Sequence, residues 1–192
     1  MHLILASNSP RRRQLLTDLG VPYTVRLQEV DESFPAHLRR AEVAEYLAAH
    51  KASAYRAGLA PDEVVLTADT IVCLDDDVLN KPADTAEAIR MLTRLQGRAH
   101  DVFTGVCLLA GDGRQVVFSD RTTVHFRALS NSEIAHYVHT YQPLDKAGAY
   151  GAQDWIGMVA VTRLEGSYYN VMGLPVHRVW DELAKLGFPL AV

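Results

Sequence analysis

The stretch "ILASNSPRRRQLL", Ile4 to Leu16, changes its pattern half-way, and that change decides the fold. Leu3 to Ala6 is an unbroken apolar run, which reads as a buried strand. Ser7-Asn8-Ser9-Pro10 then reads as a helix start, a capping side chain followed by proline at the first helical position. Pro10–Leu19 follows as a short helix with Leu15, Leu16 and Leu19 on one side, ended by Gly20. Strand, tight turn and helix N-terminus is where α/β folds bind phosphate. Arg11, Arg12 and Arg13 fall in the first turn, where the helix dipole disfavours cations and like charges repel. A phosphate resolves the conflict, because free N–H groups and several arginines together make an anion site. The alternative is a solvated basic face beside a plain cap. Arg12, on the same face as the leucines, does not suit solvation.

Working outward, helical and strand patterns mix without strict alternation. Tyr23–Leu27 reads as a strand, and Arg40–Ala57 as a helix closed by Gly58. Val64–Leu74 is strongly strand-like, and the turn Asp75-Asp76-Asp77 leads to Val78-Leu79. Asp84–Glu87 and Ser130–Glu133 resemble capping boxes that open helices to Gln96 and to about Tyr141. Val102–Leu109 and Gln115–Arg127 read as a strand pair joined by Gly111-Asp112-Gly113. A glycine-rich loop from Ala147 to Gly157, a strand Met158–Leu164, a turn at Glu165–Ser167 and a helix Val176–Leu186 complete the chain. The fold class is α/β or α+β around a mixed sheet.

A chain of 192 residues buries a sizeable core as one domain, or one domain with two lobes. A net charge of −4 disfavours a general nucleic-acid binder but leaves room for a small anionic ligand. Cys73 and Cys107 lie in apolar runs without zinc spacing and read as buried thiols, which suits a reducing cytoplasm. No signal peptide and no membrane span is expected.

Several residues look out of place. Asp69 sits inside "VVLTADTIVCL", apolar on both sides, where a carboxylate is costly without a cation or hydrogen bonds. It is a structural Asp bonded to nearby backbone, a metal ligand or a general base. Lys51 ends an apolar stripe with Val43 and Leu47, and on its own reads as a side chain snorkelling to water. Glu29, Asp31 and Glu32 form an acidic cluster that is either solvated or a source of oxygen ligands. In "PLDKAGAYGAQ" the glycines let backbone approach a ligand, Tyr150 offers a flat ring and Gln153 both donates and accepts. An ordinary flexible loop is the alternative. Three features read as decoys. Asp75–Asp77 is a turn, the His136/His139 pair lies on the surface, and Trp155 and Trp180 are a loop anchor and a core residue.

Taken together, "SNSPRRRQLL", "VDE", "HKA", "ADTIV", "NKP", "LDKAGAYGAQ" and "GSYYNVMGLP" resemble the Maf family of nucleoside triphosphate pyrophosphatases, in order along essentially the whole chain. The resemblance implies a single Maf-like domain over residues 1–192, similar in fold to the inosine triphosphate pyrophosphatases, with two lobes around a cleft and often a homodimer. It makes Asp69 the catalytic carboxylate and assigns Arg11, Thr70 and Gln153 to substrate selection. Ser9, Lys51 and Lys81 become phosphate-binding positions beside Arg12, and Glu32 an acidic partner for a divalent metal, Mg²⁺ or Mn²⁺, shared with Asp69. "ADT" with "DKAGAYGAQ" looks like the branch acting on dTTP and UTP. One departure is Asp154-Trp155, where a glycine usually follows the glutamine.

The function expected is therefore hydrolysis of dTTP and UTP, or of modified pyrimidine nucleotides, between the α and β phosphates, in the cytoplasm and away from nucleic acid and membrane. A rival is a nucleotide-binding regulator of septum formation or cell division with little turnover. A complete set of catalytic positions argues against it.

Overall fold

The computed structural model describes residues 1–190. In chain order the strands are β1 (His2–Leu5), β2 (Tyr23–Val25), β3 (Glu63–Leu74), β4 (Asp77–Leu79), β5 (Ala99–Ala110), β6 (Gln115–Phe126) and β7 (Val161–Glu165). The helices are α1 (Pro10–Asp18), α2 (Ala41–Ser53), α3 (Thr85–Leu95), α4 (Asn131–Tyr141), α5 (Trp155–Ala160), α6 (Tyr168–Met172) and α7 (Val176–Lys185). The strands form one seven-stranded mixed sheet in the order β2-β1-β3-β5-β6-β7, with β4 paired to β3. β1 runs parallel to both β2 and β3, which explains its unbroken apolar run, with Leu3, Ile4 and Leu5 fully buried. β4 and β7 are antiparallel to β3 and β6. The expected α/β class with a mixed sheet is the observed one.

Two compact units divide the chain. Unit 1 comprises Met1–Asp69, Thr104–Asp120 and the segment from Gly173 onward; unit 2 comprises Thr70–Phe103 and Arg121–Met172. The core of unit 1 includes Ile4, Ala48, Ala52, Tyr55, Val65, Cys107 and Leu109. Small residues on α2 let it lie close to β5. A Cβ on Gly105 would come within 2.2 Å of the Ala44 carbonyl, so only glycine admits this helix–strand approach. Unit 2 packs α3 and α4 through Leu92, Leu95, Ile134, Tyr137 and Val138 onto Leu74, Val102 and Val124.

Local signals decide most boundaries. Ser130 and Glu133 form the expected capping box of α4. At α3, Asp84 caps the Glu87 N–H at 2.7 Å, but Glu87 reaches back to the Ala83 N–H at 2.7 Å, one residue beyond the expected box. Asp75, at φ 57°, and Asp76 make the β3–β4 turn, Asp77 already opens β4, and Arg98 and Arg94 pair with Asp75 and Asp77, so the triplet serves the turn, one residue shorter than read. The strand expected at Met158–Leu164 is corrected at its start: residues up to Ala160 belong to α5, and the strand begins at Val161. The buried pair Ile156 and Ala160, four apart, is a helical stripe, and Met158 between them is 76% exposed. α6, in "YYNVM", is a helix where only a turn was expected nearby. α2 ends at Ser53, short of the expected Ala57, and a separate 3₁₀ turn at Arg56–Gly58 follows.

His100 is a buried imidazole in unit 2. Its Nε2 is hydrogen-bonded to the Tyr150 hydroxyl at 2.7 Å, and its ring stands edge-on to Phe126 and Tyr150. Burial pushes its pKa down to about 4, with Asp101 opposing and His125 adding to the shift. The unfolded chain then binds more protons than the folded one between about pH 6.5 and pH 4. This contribution to stability is complete above that window and lost as pH falls through it. Urea melts are expected to show a loss of about 2 kcal/mol between pH 7 and pH 5 from this group. His100→Gln, which cannot take up the proton, should shrink that loss. An equal loss in the variant would remove His100 as its source.

Candidate active site

In unit 1 the start of α1 is built as its sequence requires. The Ser9 hydroxyl accepts from the Arg12 N–H at 3.4 Å, Pro10 follows it in the first turn, and the Ser9 N–H donates to Ser7 Oγ at 3.2 Å. Arg12 is half-buried. Its Nε donates to the Gly173 carbonyl at 2.8 Å and its Nη1 to Ser7 Oγ at 3.3 Å. Burial lowers the Arg12 pKa, the Asp69 carboxylate raises it, Arg11 lowers it further and Glu32 raises it. Arg12 therefore lies within the field of both carboxylates expected to hold metal. Arg13 turns to Asn8 at 2.9 Å.

Lys51 is the centre of the arrangement. Its ammonium lies 2.6 Å from Asp69 Oδ1 and 2.7 Å from Glu32 Oε1. The snorkelling read from the helix stripe is corrected: the Lys51 side chain is only 17% exposed and turns to the carboxylates. The cation that Asp69 requires in its apolar strand is thus Lys51. One buried hydroxyl sets this register. Thr67, two residues before Asp69 on β3, donates to the Ala48 carbonyl on α2 at 2.7 Å, one turn before Lys51. Sequence reading passed over Thr67. Its signal was a polar residue inside the same apolar run that drew attention to Asp69.

The donor chemistry suits a hard divalent ion. Two carboxylates already converge on one ammonium, that of Lys51. Among the described residues no group of three carboxylate, imidazole or thiol side chains gathers as a cage. Mg²⁺ commonly takes one or two carboxylates and completes its shell with water and substrate phosphates.

The other expected residues lie in unit 2. Thr70, half-buried, follows Asp69 directly on β3. Lys81 is exposed after β4 and lines a cavity of about 400 Å³ with Asn80, Glu87, Arg90, Met91 and Arg94. Gln153 is exposed in the turn between Gly151 and α5. Tyr150 does not present its ring to a ligand: it is 5% exposed and belongs to the core, held by His100 and Phe126. Within the glycine loop, Gly148 takes φ 66° where a Cβ would press into Val72.

The family model for Maf-like proteins matches residues 2–186. The chain belongs to the Maf family. It is 52% identical over 185 residues to a protein of Bacteroides thetaiotaomicron named dTTP/UTP pyrophosphatase, covering 96% of this chain and 95% of that one. Proteins of the same name from Phocaeicola vulgatus and Cytophaga hutchinsonii are 50% and 45% identical, covering 96% and 97% of this Maf chain and 95% and 85% of their own. Among solved structures, the Ham1 protein of Staphylococcus aureus aligns with a TM-score of 0.47 at 16% identity, over 66% of this chain and 72% of its own. A nucleoside-triphosphatase, dITP/XTP pyrophosphatase, of Mycobacterium abscessus aligns with a TM-score of 0.41 at 15% identity, over 97% and 94%.

Proposed function

We propose that this Maf protein hydrolyses dTTP and UTP between the α and β phosphates, releasing the nucleoside monophosphate and pyrophosphate. The observation that carries this reading is Lys51 held between Glu32 and Asp69, within the field of a helix start rich in arginine. The names of relatives half identical over nearly the whole chain support the substrate class.

Ser9, Arg11, Arg12, Lys51 and Lys81 bind phosphate oxygens, with Arg11 also contributing to substrate selection. Glu32 and Asp69 would hold a divalent ion, which when bound neutralises phosphate charge and polarises the phosphorus centre. Asp69 acts as that ligand or as the base that orients the attacking water. Thr70 and Gln153 meet the base. A 4-oxo pyrimidine offers an N3–H flanked by carbonyl oxygens, and Gln153 can accept from the first and donate to the second. Such chemistry clears surplus or altered pyrimidine nucleotides from the pool. Two free, buried thiols suit a cytoplasmic setting. Among the described residues no helix is long and apolar enough to cross a membrane.

The test is pyrophosphate release from a panel of nucleoside triphosphates. We expect kcat/KM for dTTP and UTP to exceed that for ATP and GTP by at least about a hundredfold, because a site built around hydrogen bonds rejects ligands that leave its polar groups unpaired. Gln153→Ala should narrow the gap by about 1–3 kcal/mol, the cost of one unpaired polar group. A purine preference in the wild type would end the substrate assignment. Tight nucleotide binding without turnover would favour the regulatory rival instead.

A further inference from the structure

Gln153 sits in a turn, Gly151 to Asp154, closed by the Asp154 N–H donating to the Gly151 carbonyl at 3.0 Å. One residue of α4 grips both ends of that turn. Tyr137 is fully buried; its hydroxyl accepts from the Gly151 N–H at 3.1 Å and donates to Asp154 Oδ2 at 2.8 Å. Asp154 occupies the N-cap position of α5, yet its side chain caps no helical N–H. That carboxylate is committed to Tyr137 instead, with the Lys146 ammonium 3.9 Å from the same oxygen and 2.7 Å from Asp145. The motif residues Asp145 and Lys146 thereby join the network.

The turn is also tightly packed. A Cβ on Gly151 would lie 2.6 Å from Asp154 Oδ2 and 3.0 Å from Gln153 Nε2. The Gln153 amide therefore folds back over Gly151, while the residue as a whole stays exposed. Burial first, and the Asp154 carboxylate second, raise the Tyr137 pKa, so the phenol keeps the proton that it donates.

We propose that Tyr137 and Asp154 are positioning residues for base discrimination: the phenol and the carboxylate lock the turn so that the Gln153 amide is presented in one orientation. This rests on the reading that Gln153 meets the base. A recognition group fixed before the ligand arrives loses less freedom on binding and rejects mismatched partners more sharply. A purely structural role for the pair would lower stability and leave the substrate ratio alone.

The experiment measures kcat and KM for dTTP, UTP, ATP and GTP on wild type, Tyr137→Phe, Asp154→Ala, Asp154→Asn and Gln153→Ala. Amide hydrogen exchange at Gly151 is followed in the same proteins. Tyr137→Phe and Asp154→Ala should each narrow the pyrimidine lead about five- to tenfold, the scale of one weakened hydrogen bond. The change should appear mainly as a higher KM for dTTP and UTP, with kcat nearly retained. Asp154→Asn keeps an acceptor for the phenol and should retain most of the lead. Gly151 should exchange faster in Tyr137→Phe, while amides in β5 are unchanged.

Narrowing in Gln153→Ala but not in Tyr137→Phe or Asp154→Ala overturns the proposal and leaves the base reading intact. Narrowing in Tyr137→Phe without narrowing in Gln153→Ala overturns it as well, because the pair would then act through another group. No narrowing in any variant removes the base reading and the proposal together, and Gly151 exchange then reports only whether the phenol holds the turn. Should Tyr137→Phe fail to fold, Asp154→Ala carries the same test from a side chain that still reaches solvent.

Discussion

Asp69→Asn is expected to fold and to release pyrophosphate from dTTP and UTP at least about a thousandfold more slowly than the wild type, the scale seen when a key transition-state contact is lost. The amide preserves the shape of the side chain on β3 and still offers Lys51 an oxygen at the position now 2.6 Å away. What it removes is the negative charge, and with it the capacity to hold a cation or take a proton. Folding should survive because Lys51 keeps Glu32 at 2.7 Å, so the ammonium is not left without a counter-charge. Thr67 keeps α2 and β3 in register independently of Asp69. The measurement is kcat on the pure variant, with a thermal melt alongside. Turnover within tenfold of the wild type would remove Asp69 from the chemistry and make it a structural counter-ion for Lys51.

Withdrawal of divalent metal should abolish pyrophosphate release, and Mg²⁺ or Mn²⁺ should restore it. Glu32 and Asp69 both lie against the ammonium of Lys51, so a triphosphate that reaches Lys51 brings its oxygens up to two carboxylates, even with Arg12 in the same field. Like charges a few ångströms apart repel by several kcal/mol at the effective dielectric of a protein surface, about 4 kcal/mol at 4 Å. A divalent ion turns that repulsion into a shared set of oxygen ligands. Turnover assays after EDTA treatment and dialysis, with and without added metal, decide the matter. Full activity in chelator would mean that Arg11, Arg12, Lys51 and Lys81 suffice, and the carboxylates would lose their role as ligands.

Much of the fold is legible in the sequence itself. The period change at Ser7–Pro10 announced β1 and α1, because capping and proline chemistry act within a few residues. The Asp75–Asp77 turn and the Ser130 box were legible for the same reason. α5 was not: "IGMVAV" is short and apolar, and only the packing of Ile156 and Ala160 tells a helix from a strand there. The oddity of Asp69 was visible, but its counter-ion was not, since Lys51 is 18 residues away on another element. Tyr150 misled because an aromatic ring in a glycine-rich loop reads equally as a platform or as core. His100, 50 residues earlier, decides for core. Tyr137 gave no signal at all, because its two hydrogen bonds depend on how α4 meets the glycine loop.

The bond from Arg12 to the Gly173 carbonyl joins residues 161 apart in sequence. Unit 1 is assembled from three separated stretches, the last beginning at Gly173, whereas every residue of unit 2 has been made by Met172. Anchoring the arginine-lined start of α1 is therefore a long-range closure that draws on a stretch lying beyond all of unit 2 in the sequence. Leu174, just ahead of α7, and Val179 and Leu183 on it are buried and complete the core of unit 1. A polypeptide cut after residue 172 would keep the opening motif in full and lose the Gly173 carbonyl that accepts from Arg12. Nucleotide hydrolysis is therefore expected to depend on the stretch from Gly173 onward, although it supplies no residue of the proposed chemistry.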